Sequence, residues 1–311
     1  MNVIDFHCDT ISKLMDSRKE WELKKNDFSV DIEKLKQGSN LAQFFALFLN
    51  LENVEDPLEY CLNMLDKFYI EMEKNKDSIA VATSYSELMY NKNRNRLSAF
   101  LTIEEGGALK GNLYNLRNFY RLGVRLMTLT WNYPNEIGYP NFKKEYMGKG
   151  LTDFGHQVIE EMNRLHMIID VSHLSDAGFF DVLRLSKRPF VASHSNSRFI
   201  TNHPRNLTDT MIKELSNKGG IMGINFYNKF LGKNNVSKIE DMIYHIKHIC
   251  NVGGVEVIAL GSDFDGIDCD VEIKNTGEMG KLGKELIKVG FSESDVEKIF
   301  YKNALRVISD M

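Results

Sequence analysis

The sequence of 311 residues has few of the features that mark specialised protein classes. Its four cysteines are far apart and form no CxxC pair, which argues against a disulfide framework and a structural zinc knuckle. Lysine and arginine number 39 against 43 aspartates and glutamates, a formal charge of -4, so no positive field favours nucleic acid or an anionic lipid surface. No apolar run reaches the roughly 18 residues of a membrane span. We therefore expect no nucleic-acid partner and no membrane partner.

The beginning of the sequence also lacks a secretion signal. Asp5, His7 and Asp9 lie where such a signal would need a basic segment followed by an apolar one. With reduced thiols as the default for such scattered cysteines, this predicts a cytoplasmic protein. The hydrophobic fraction of 43% and the charged fraction of 26% are those of an ordinary globular protein with a real core.

Eight short apolar runs, rich in β-branched and aromatic residues, recur along the chain. They span residues 3–7, 41–50, 98–104, 124–131, 167–173, 189–195, 220–227 and 257–264. Amphipathic stretches of helical period, such as residues 154–165, separate most of them. Eight apolar strands alternating with helices favour a closed (β/α)8 TIM barrel over an open sheet. Because composition nowhere breaks, we predict one catalytic domain over residues 1–311, closed by a helix at residues 293–311.

One connection is unusually long. Residues 133–150, after the fourth predicted strand, are rich in proline, asparagine, glycine and tyrosine. A βα connection of this kind is commonly a lid or substrate loop, but a passive surface loop fits the composition equally well.

Polar residues end five of the predicted strands, at the rim where barrel enzymes place their active sites. The first strand ends in His7 and Asp9, which alternation puts on one face with Cys8 pointing away. The other four ends carry Glu104-Glu105, His173, His194, and Asp263 followed by Asp265. Converging carboxylates would repel one another unless a cation lay among them, so the pattern predicts a metal centre.

Imidazole and carboxylate ligands without thiolate suit Zn²⁺, and Mn²⁺, Co²⁺ or Fe²⁺ are compatible with the same donors. A single catalytic zinc keeps about three protein ligands, and this set is larger. We therefore expect two ions that share a carboxylate. The predicted ligands are His7, Asp9, Glu104, His173 and His194.

Taken together and in order, these motifs resemble the membrane (renal) dipeptidase family of zinc metallopeptidases, within the amidohydrolase-like barrels. The resemblance spans nearly the whole chain and is to a soluble member of bacterial type. It depends on DFHCDT, TIEEGGAL, LGVRLMTLTWN, MNRLHMIIDVSH, VASHSNSR with the following PRN, and GSDFDG.

The resemblance implies which of the predicted ligands would bind each ion. His7 and Asp9 would bind one ion, His173 and His194 the other, and a glutamate of the third strand would bridge them. Glu104 is the predicted bridge, because an alignment on LGVR then needs no insertion. An alignment on the two glycines would select Glu105 instead.

The resemblance also implies roles in catalysis and substrate binding. Asp263 would act beside the attacking water, with Asp265 as the alternative. Arg205 would meet the substrate carboxylate, with a surface ion pair as the alternative, and Asn206 beside it is a further candidate for substrate binding. Trp131, also assigned to the substrate site, departs from the family, because animal members carry there a histidine that contacts substrate.

The resulting expectation is a zinc dipeptidase in which a hydroxide between the ions attacks the peptide bond of dipeptides, including those that end in a D-residue. The resemblance also implies a homodimer. Two alternatives remain open: another binuclear hydrolase on the same barrel (an amidase, lactonase or deaminase), and a non-catalytic binding module stabilised by metal. The remaining histidines, His156, His166, His203, His245 and His248, are expected to be structural or solvated, with His203 placed to enter the substrate pocket.

Overall fold

Eight parallel strands form a closed ring in the computed structural model, which describes residues 1–15 and 20–311. The strands in chain order are β1 (Val3–Cys8), β2 (Asn40–Phe48), β3 (Ile79–Val81), β4 (Leu97–Glu104), β5 (Val124–Thr128), β6 (Ile168–Asp170), β7 (Val191–Ala192), β8 (Ile221–Ile224), β9 (Val236–Ser237), β10 (Ile258–Leu260) and β11 (Asp270–Val271). The ring runs β1, β2, β4, β5, β6, β7, β8, β10 and back to β1. β3 pairs with the first half of β4, and β9 with β11 forms a separate small sheet. The predicted (β/α)8 barrel is confirmed, and each of its eight strands overlaps one of the eight predicted runs.

Helices follow most of the strands and cover the outside of the barrel. They are α1 (Thr10–Met15), α2 (Ile32–Gln37), α3 (Pro57–Lys74), α4 (Tyr85–Asn93), α5 (Leu113–Arg121), α6 (Asp153–Leu165), α7 (Asp176–Leu185), α8 (Asp209–Asn217), α9 (Asn228–Leu231), α10 (Ile239–Gly253), α11 (Gly280–Lys288), α12 (Glu293–Glu297) and α13 (Asn303–Ser309). One-turn 3₁₀ helices lie at Gly106–Leu109, Lys144–Tyr146, Val255–Val257 and Thr276–Glu278. Among the described residues, no helix is both long and apolar enough to cross a lipid bilayer.

The predicted closing helix is present, with an interruption. α12 passes into a π-helical turn at Lys298–Lys302 and continues as α13. Ser292 caps it, because its hydroxyl accepts the Asp295 amide at 3.1 Å while the Asp295 carboxylate accepts the Ser292 amide at 3.3 Å. Such a reciprocal capping box fixes where the helix begins.

Alternation along the strands divides the core into an inner and an outer layer. In β2, Phe44 belongs to the inner cluster and Phe45 to the outer one. Inside the ring, the Phe44 ring stacks on Phe6 at 4.3 Å and on Phe100 at 4.7 Å between centroids. Val307 of α13 joins this inner cluster, so the C-terminal helix contributes to the packing of the barrel interior.

Candidate active site

Side chains from five strand ends converge in one buried cluster. Three overlapping groups each bring three ligand atoms within 4.8 Å of one another. These groups are His7 with Asp9 and Glu104, Glu104 with His173 and His194, and His7 with His194 and Asp263. The structure thus brings together all five predicted metal ligands, and Asp263 lies beside them.

Glu104 occupies the middle of this cluster and turns its two oxygens to different partners. Oε1 lies 3.0 Å from Nε2 of His173 and 3.3 Å from Nε2 of His194. Oε2 lies 3.3 Å from Nε2 of His7, which in turn lies 3.4 Å from Oδ2 of Asp9. This is the arrangement expected of a carboxylate shared between two ions.

The cluster contains buried polar atoms that the protein itself leaves unsatisfied. Both ring nitrogens of His7 and Oδ1 of Asp9 are buried without a hydrogen bond. Nε2 of His173 lies only 3.0 Å from Nε2 of His194. Buried polar groups without partners lower the stability of a protein. A cation bound among these nitrogen and oxygen atoms would give them a partner. The residues present therefore fit a pair of divalent ions.

Both histidines facing Oε1 are held in the neutral form that a metal ligand needs. Burial, with Arg205 nearby, lowers the pKa of His173 to about 4. Burial, and then the proximity of His7, lowers the pKa of His194 well below its usual value.

Hydrogen bonds at the second ring nitrogen orient these two histidines. Nδ1 of His194 lies 2.7 Å from the hydroxyl of Ser193, which donates at 2.6 Å to the buried carboxylate of Asp170. Nδ1 of His173 lies 3.2 Å from Oδ1 of Asn132. Partners of this kind fix the tautomer and the ring orientation of metal ligands.

Asn132 was missed by sequence reasoning, and so was Asn225. The carboxamide of Asn225 donates to Oδ2 of Asp263 at 2.8 Å. Asn132 directly follows the predicted run at residues 124–131, and Asn225 lies near the end of the run at residues 220–227. Their position at those strand ends was the only available signal.

Of the two strand-end aspartates, the structure places Asp263 beside the cluster. Oδ1 of Asp263 lies 3.9 Å from Nε2 of His7, and burial raises the pKa of this carboxyl to about 8. Asp265 uses its two oxygens elsewhere, since it accepts from the Thr10 hydroxyl at 2.6 Å and from the Ser29 amide at 2.7 Å. Asp265 therefore has a loop-fixing role in the structure.

Glycine is required at position 266 by the close approach of two carboxylates. A Cβ atom there would lie 2.1 Å from Oδ2 of Asp9 and 2.7 Å from Oδ1 of Asp263. No side chain fits at that distance without moving a member of the cluster.

Glu105 turns away from the cluster, and it belongs to none of the three groups among the described residues. Its buried carboxylate accepts the Gly107 amide at 2.7 Å and the Trp131 amide at 2.9 Å, and it also accepts from the Asn135 carboxamide. Burial raises the pKa of this carboxyl to about 7. The geometry thus favours Glu104 over Glu105 as the bridging residue.

A cavity of about 890 Å³ opens onto the cluster. Asp9, Glu104, His173 and Asp263 lie at its polar end. Aromatic side chains form much of the remaining wall: Phe48, Tyr60, Trp131, Phe142, Tyr227 and Phe230. The predicted substrate residues Trp131 and Arg205 both line this cavity.

Arg205 is a buried residue that lines the cavity. The residue is 2% exposed, and burial lowers its pKa to about 10, which leaves the guanidinium charged at neutral pH. It donates to the carbonyl oxygens of Ser172 and His194, while its Nε has no hydrogen-bond partner among residues 1–15 and 20–311. The alternative of a surface ion pair is therefore wrong.

Asn206 does not line the cavity, in contrast to the prediction of a substrate contact. Its carboxamide donates to the carbonyl oxygens of Thr201 and Phe230, each at 2.9 Å. It therefore joins the loop at Thr201 to α9. His203 does line the cavity, with its ring 4.7 Å from that of Phe230 and Nδ1 accepting the Arg205 amide at 3.2 Å.

The long connection at residues 133–150 is tied to the loop after β6. The Asn141 amide donates to the His173 carbonyl at 2.8 Å, and the Ser175 amide donates to the Tyr139 carbonyl at 2.9 Å. Phe142 is the residue of this segment that lines the cavity. The segment thus contributes to the cavity wall, and a movement as a lid remains a prediction.

Comparison with known proteins identifies the group to which the chain is related. The sequence model of the family described as membrane dipeptidase, peptidase family M19, matches residues 1–311. The chain belongs to the membrane dipeptidase family. This confirms the resemblance drawn from the motifs.

Individual relatives agree with this membership. An uncharacterized protein from the pqqA 5' region of Klebsiella pneumoniae is 33% identical over 67% of this chain and 80% of its own length. An uncharacterized dipeptidase of Schizosaccharomyces pombe is 31% identical over 85% of this chain and 69% of its own length.

A solved structure of similar fold comes from Rhodobacter sphaeroides. It is a metallopeptidase liganded with a phosphinate mimic of the dipeptide L-Ala-D-Ala, and it superposes with a TM-score of 0.93 at 24% identity over 100% of this chain and 99% of its own. At this identity the likeness concerns the fold. Membership in the membrane dipeptidase family, together with the ligand cluster, supports a metal-dependent dipeptidase.

Proposed function

We propose that this protein hydrolyses the peptide bond of dipeptides with two divalent cations, Zn²⁺ being the first candidate. His7 and Asp9 would hold one ion, His173 and His194 would hold the other, and Glu104 would contact both. The single observation that carries the proposal is the division of the Glu104 oxygens between the two sets of imidazoles, at 3.0 to 3.3 Å. Mn²⁺, Co²⁺ and Fe²⁺ suit the same donors.

Divalent ions at this site would polarise the scissile carbonyl and lower the pKa of the attacking water. The side chains of the protein do the remaining work. Asn132 and Ser193 keep the imidazoles of His173 and His194 aimed at Glu104. Because the side chains of the cluster are buried, electrostatic interactions among them are stronger than in bulk water.

Asp263 is placed to transfer the proton. Its Oδ1 faces the cluster, and the hydrogen bond from Asn225 to Oδ2 fixes the orientation of the carboxylate. Cations bound beside Asp263 would favour its ionised form. In that form it takes a proton from the attacking water and delivers it to the leaving amine, as a general base and then a general acid.

Arg205 binds the C-terminal carboxylate of the substrate. A guanidinium suits carboxylate recognition because its N–H groups form a rigid fork. A carboxylate held one residue beyond the cleaved bond allows one residue after that bond, so we expect dipeptides to be preferred over longer peptides. Trp131 lines the same cavity and contacts the substrate where animal members of the family use histidine.

We extend the proposal to dipeptides that end in a D-residue, because the similar metallopeptidase of Rhodobacter sphaeroides holds a mimic of L-Ala-D-Ala. A cytoplasmic location is also proposed. Its support is that all four cysteines are free, as is usual in a reducing compartment. The homodimer implied by the family resemblance remains a prediction.

A substrate panel with the zinc-reconstituted protein tests this function. The panel contains L,L- and L,D-dipeptides, the matching tripeptides, a lactone and an N-acyl amino acid. We expect hydrolysis of dipeptides in the metal-loaded protein, none after chelation, and little or none of tripeptides. Cleavage of the lactone or the N-acyl amino acid without any dipeptide hydrolysis would identify a different hydrolase, and metal binding without any turnover would favour the non-catalytic module.

A further inference from the structure

Glu105 has a backbone conformation that residues with a side chain rarely adopt. Its φ is 115° and its ψ is 99°. This lies outside the regions that sterics allow to an L-residue, and such a conformation persists only where the surroundings hold it in place. Strained residues of this kind concentrate at functional sites. The chain nevertheless has a glutamate here, directly before two glycines.

The Glu105 carboxylate joins the connection after β4 to the connection after β5. It accepts the backbone amides of Gly107 and Trp131 and the carboxamide of Asn135. Asn135 also donates to the Leu129 carbonyl at 2.9 Å. The two connections are in tight contact, since a Cβ atom on Gly106 would lie 2.5 Å from the Leu129 carbonyl oxygen.

The segment held in this way carries two parts of the active site. The Trp131 ring lines the cavity and meets Phe48 edge-to-face at 4.9 Å between centroids. The next residue, Asn132, lies 3.2 Å from Nδ1 of His173. The Trp131 amide, which donates to Glu105, belongs to the same two residues as the side chains of Trp131 and Asn132. A shift at this amide would therefore move the cavity wall and the partner of His173 together.

We infer that Glu105 is a positioning residue, whose buried carboxylate sets the place of the Trp131 ring in the substrate cavity and of Asn132 against His173. The inference concerns how a dipeptide is bound and so rests on the proposed function. It gives this chain a device for placing its tryptophan where animal relatives have a histidine. Glu105 acts through hydrogen bonds to the neighbouring connection and does not touch the ions.

The test uses Trp131 as its own reporter. The chain has two tryptophans, so a Trp21→Phe background leaves Trp131 as the only one. Into this background we would introduce Glu105→Gln, which keeps the shape but sets an N–H₂ group against a donor. The matched control is Glu71→Gln, because Glu71 is also fully buried, accepts the Leu23 amide at 2.8 Å and does not line the cavity.

Glu105→Gln should shift the emission of Trp131 and increase its quenching by acrylamide, with and without zinc. It should raise the KM for dipeptides about tenfold and change kcat less, since misplaced binding groups weaken binding of the ground state and transition state alike. Zinc content should remain that of the parent. Glu71→Gln should change neither Trp131 fluorescence nor KM.

A second variant covers the case in which Glu105→Gln folds poorly. Glu105→Gly removes the carboxylate and also relieves the backbone, because glycine adopts positive φ freely. It should fold and show the same change in fluorescence and KM. Parental fluorescence and KM in both Glu105 variants, or an equal change in Glu71→Gln, would overturn the inference. Loss of zinc with unchanged Trp131 fluorescence would also overturn the inference, because it would show that Glu105 is a metal ligand.

The fluorescence measurement separates this inference from the proposed function. A protein that cleaves no dipeptide, yet shows the Trp131 change on substitution of Glu105, would refute the function and support the positioning role. A protein that cleaves dipeptides equally well with glutamate, glutamine or glycine at position 105, with unchanged fluorescence, would support the function and refute the positioning role.

Discussion

At the residue scale, the neighbourhood of each carboxylate decides what it can do. Glu104, Glu105, Asp263 and Asp265 all end predicted strands, and the sequence alone makes them near equivalents. In the structure, Glu104 faces three imidazoles and Asp263 faces His7, whereas Glu105 and Asp265 accept hydrogen bonds from the loops around them. Residues without charge, such as Asn132 and Asn225, escaped prediction because their importance comes entirely from which side chain they meet in space.

Replacing the proton carrier should separate catalysis from metal binding. Asp263→Asn keeps the size of the side chain and its contact with Asn225, but it cannot accept and return a proton. We expect kcat to fall about 10²- to 10⁴-fold, the usual contribution of general acid–base catalysis. Both ions should remain, as measured by elemental analysis of the purified variant. If an equivalent of metal disappears with the activity, Asp263 is a ligand and the base lies elsewhere.

Removing the cavity guanidinium should weaken substrate binding. Arg205→Ala should raise the KM for dipeptides about 10- to 100-fold, because a hydrogen bond to a charged group contributes about 1.5–3 kcal/mol. Steady-state kinetics on one L,L-dipeptide measures this. Arg188→Ala is the control, since Arg188 is bound to the Asp310 carbonyl outside the cavity. An unchanged KM in Arg205→Ala would remove Arg205 from the substrate site.

The smallest side chain that can be added near the cluster should already disturb it. In Gly266→Ala, the new methyl group would lie 2.1 Å from Oδ2 of Asp9, so this ligand must move. We expect zinc affinity to fall about 10- to 100-fold, as when groups that orient metal ligands are lost. Gly280→Ala is the matched control, because nothing lies within 4 Å of a Cβ atom there. Equal zinc affinity in the two variants would contradict the crowding seen at Gly266.

At the scale of elements, the apolar runs located all eight barrel strands but overestimated the lengths of six of them, β1 and β4 being one residue longer than predicted. The run at residues 167–173 contains only Ile168–Asp170 as a strand, and the run at residues 189–195 contains only Val191–Ala192. Apolar residues report burial, whereas a strand requires a continued hydrogen-bonded ladder to a neighbour. After Asp170 and after Ala192 the chain stops pairing with its neighbours but remains buried, and His173 and His194 lie in these segments.

Short elements were beyond prediction for a related reason. β3, β9 and β11 have two or three residues each, too few for a periodic pattern. The closing helix predicted over residues 293–311 is present from Glu293 to Ser309. Its π-helical turn at Lys298–Lys302 was not predicted from the sequence.

His245 links α10 to the loop at Ser197 and to the end of α9, and this link should make stability depend on pH. Nδ1 of His245 accepts the Ser197 amide at 3.0 Å, and Nε2 donates to the Leu231 carbonyl at 2.8 Å, so the ring must be neutral. Burial lowers its pKa to about 4 from 6.5, against a smaller opposing effect of Asp241. The stabilising contribution is therefore complete above pH 6.5 and is lost as pH falls towards 4.

Between pH 7 and pH 5 this loss should be about 2 kcal/mol in the free energy of unfolding. Urea unfolding of the metal-free protein at both pH values measures it, so that metal release does not contribute. His245→Gln should lose about that much less over the same range, because glutamine does not titrate. Parallel losses in the two proteins would show that His245 is not the group responsible.

At the scale of the whole molecule, the barrel explains how residues as distant in sequence as His7 and Asp263 meet. Parallel strands in a closed ring bring all their carboxyl ends to one rim, so any polar residue that ends a strand faces the same space. This is why the fold and most of the site could be predicted from the order of the motifs. Asn206 could not be predicted in this way, because its position next to Arg205 in the sequence does not determine whether its carboxamide faces the cavity.

Catalysis as proposed requires that the cluster around Glu104 hold two divalent cations. The most direct test is elemental analysis of metal-stripped protein after dialysis against zinc and removal of loosely bound ions. We predict two zinc ions per chain in the parent protein and fewer than two when Glu104 is replaced by alanine. A parent protein that retains one zinc or none, or a Glu104→Ala variant that still retains two, would contradict a shared carboxylate at the centre of this site.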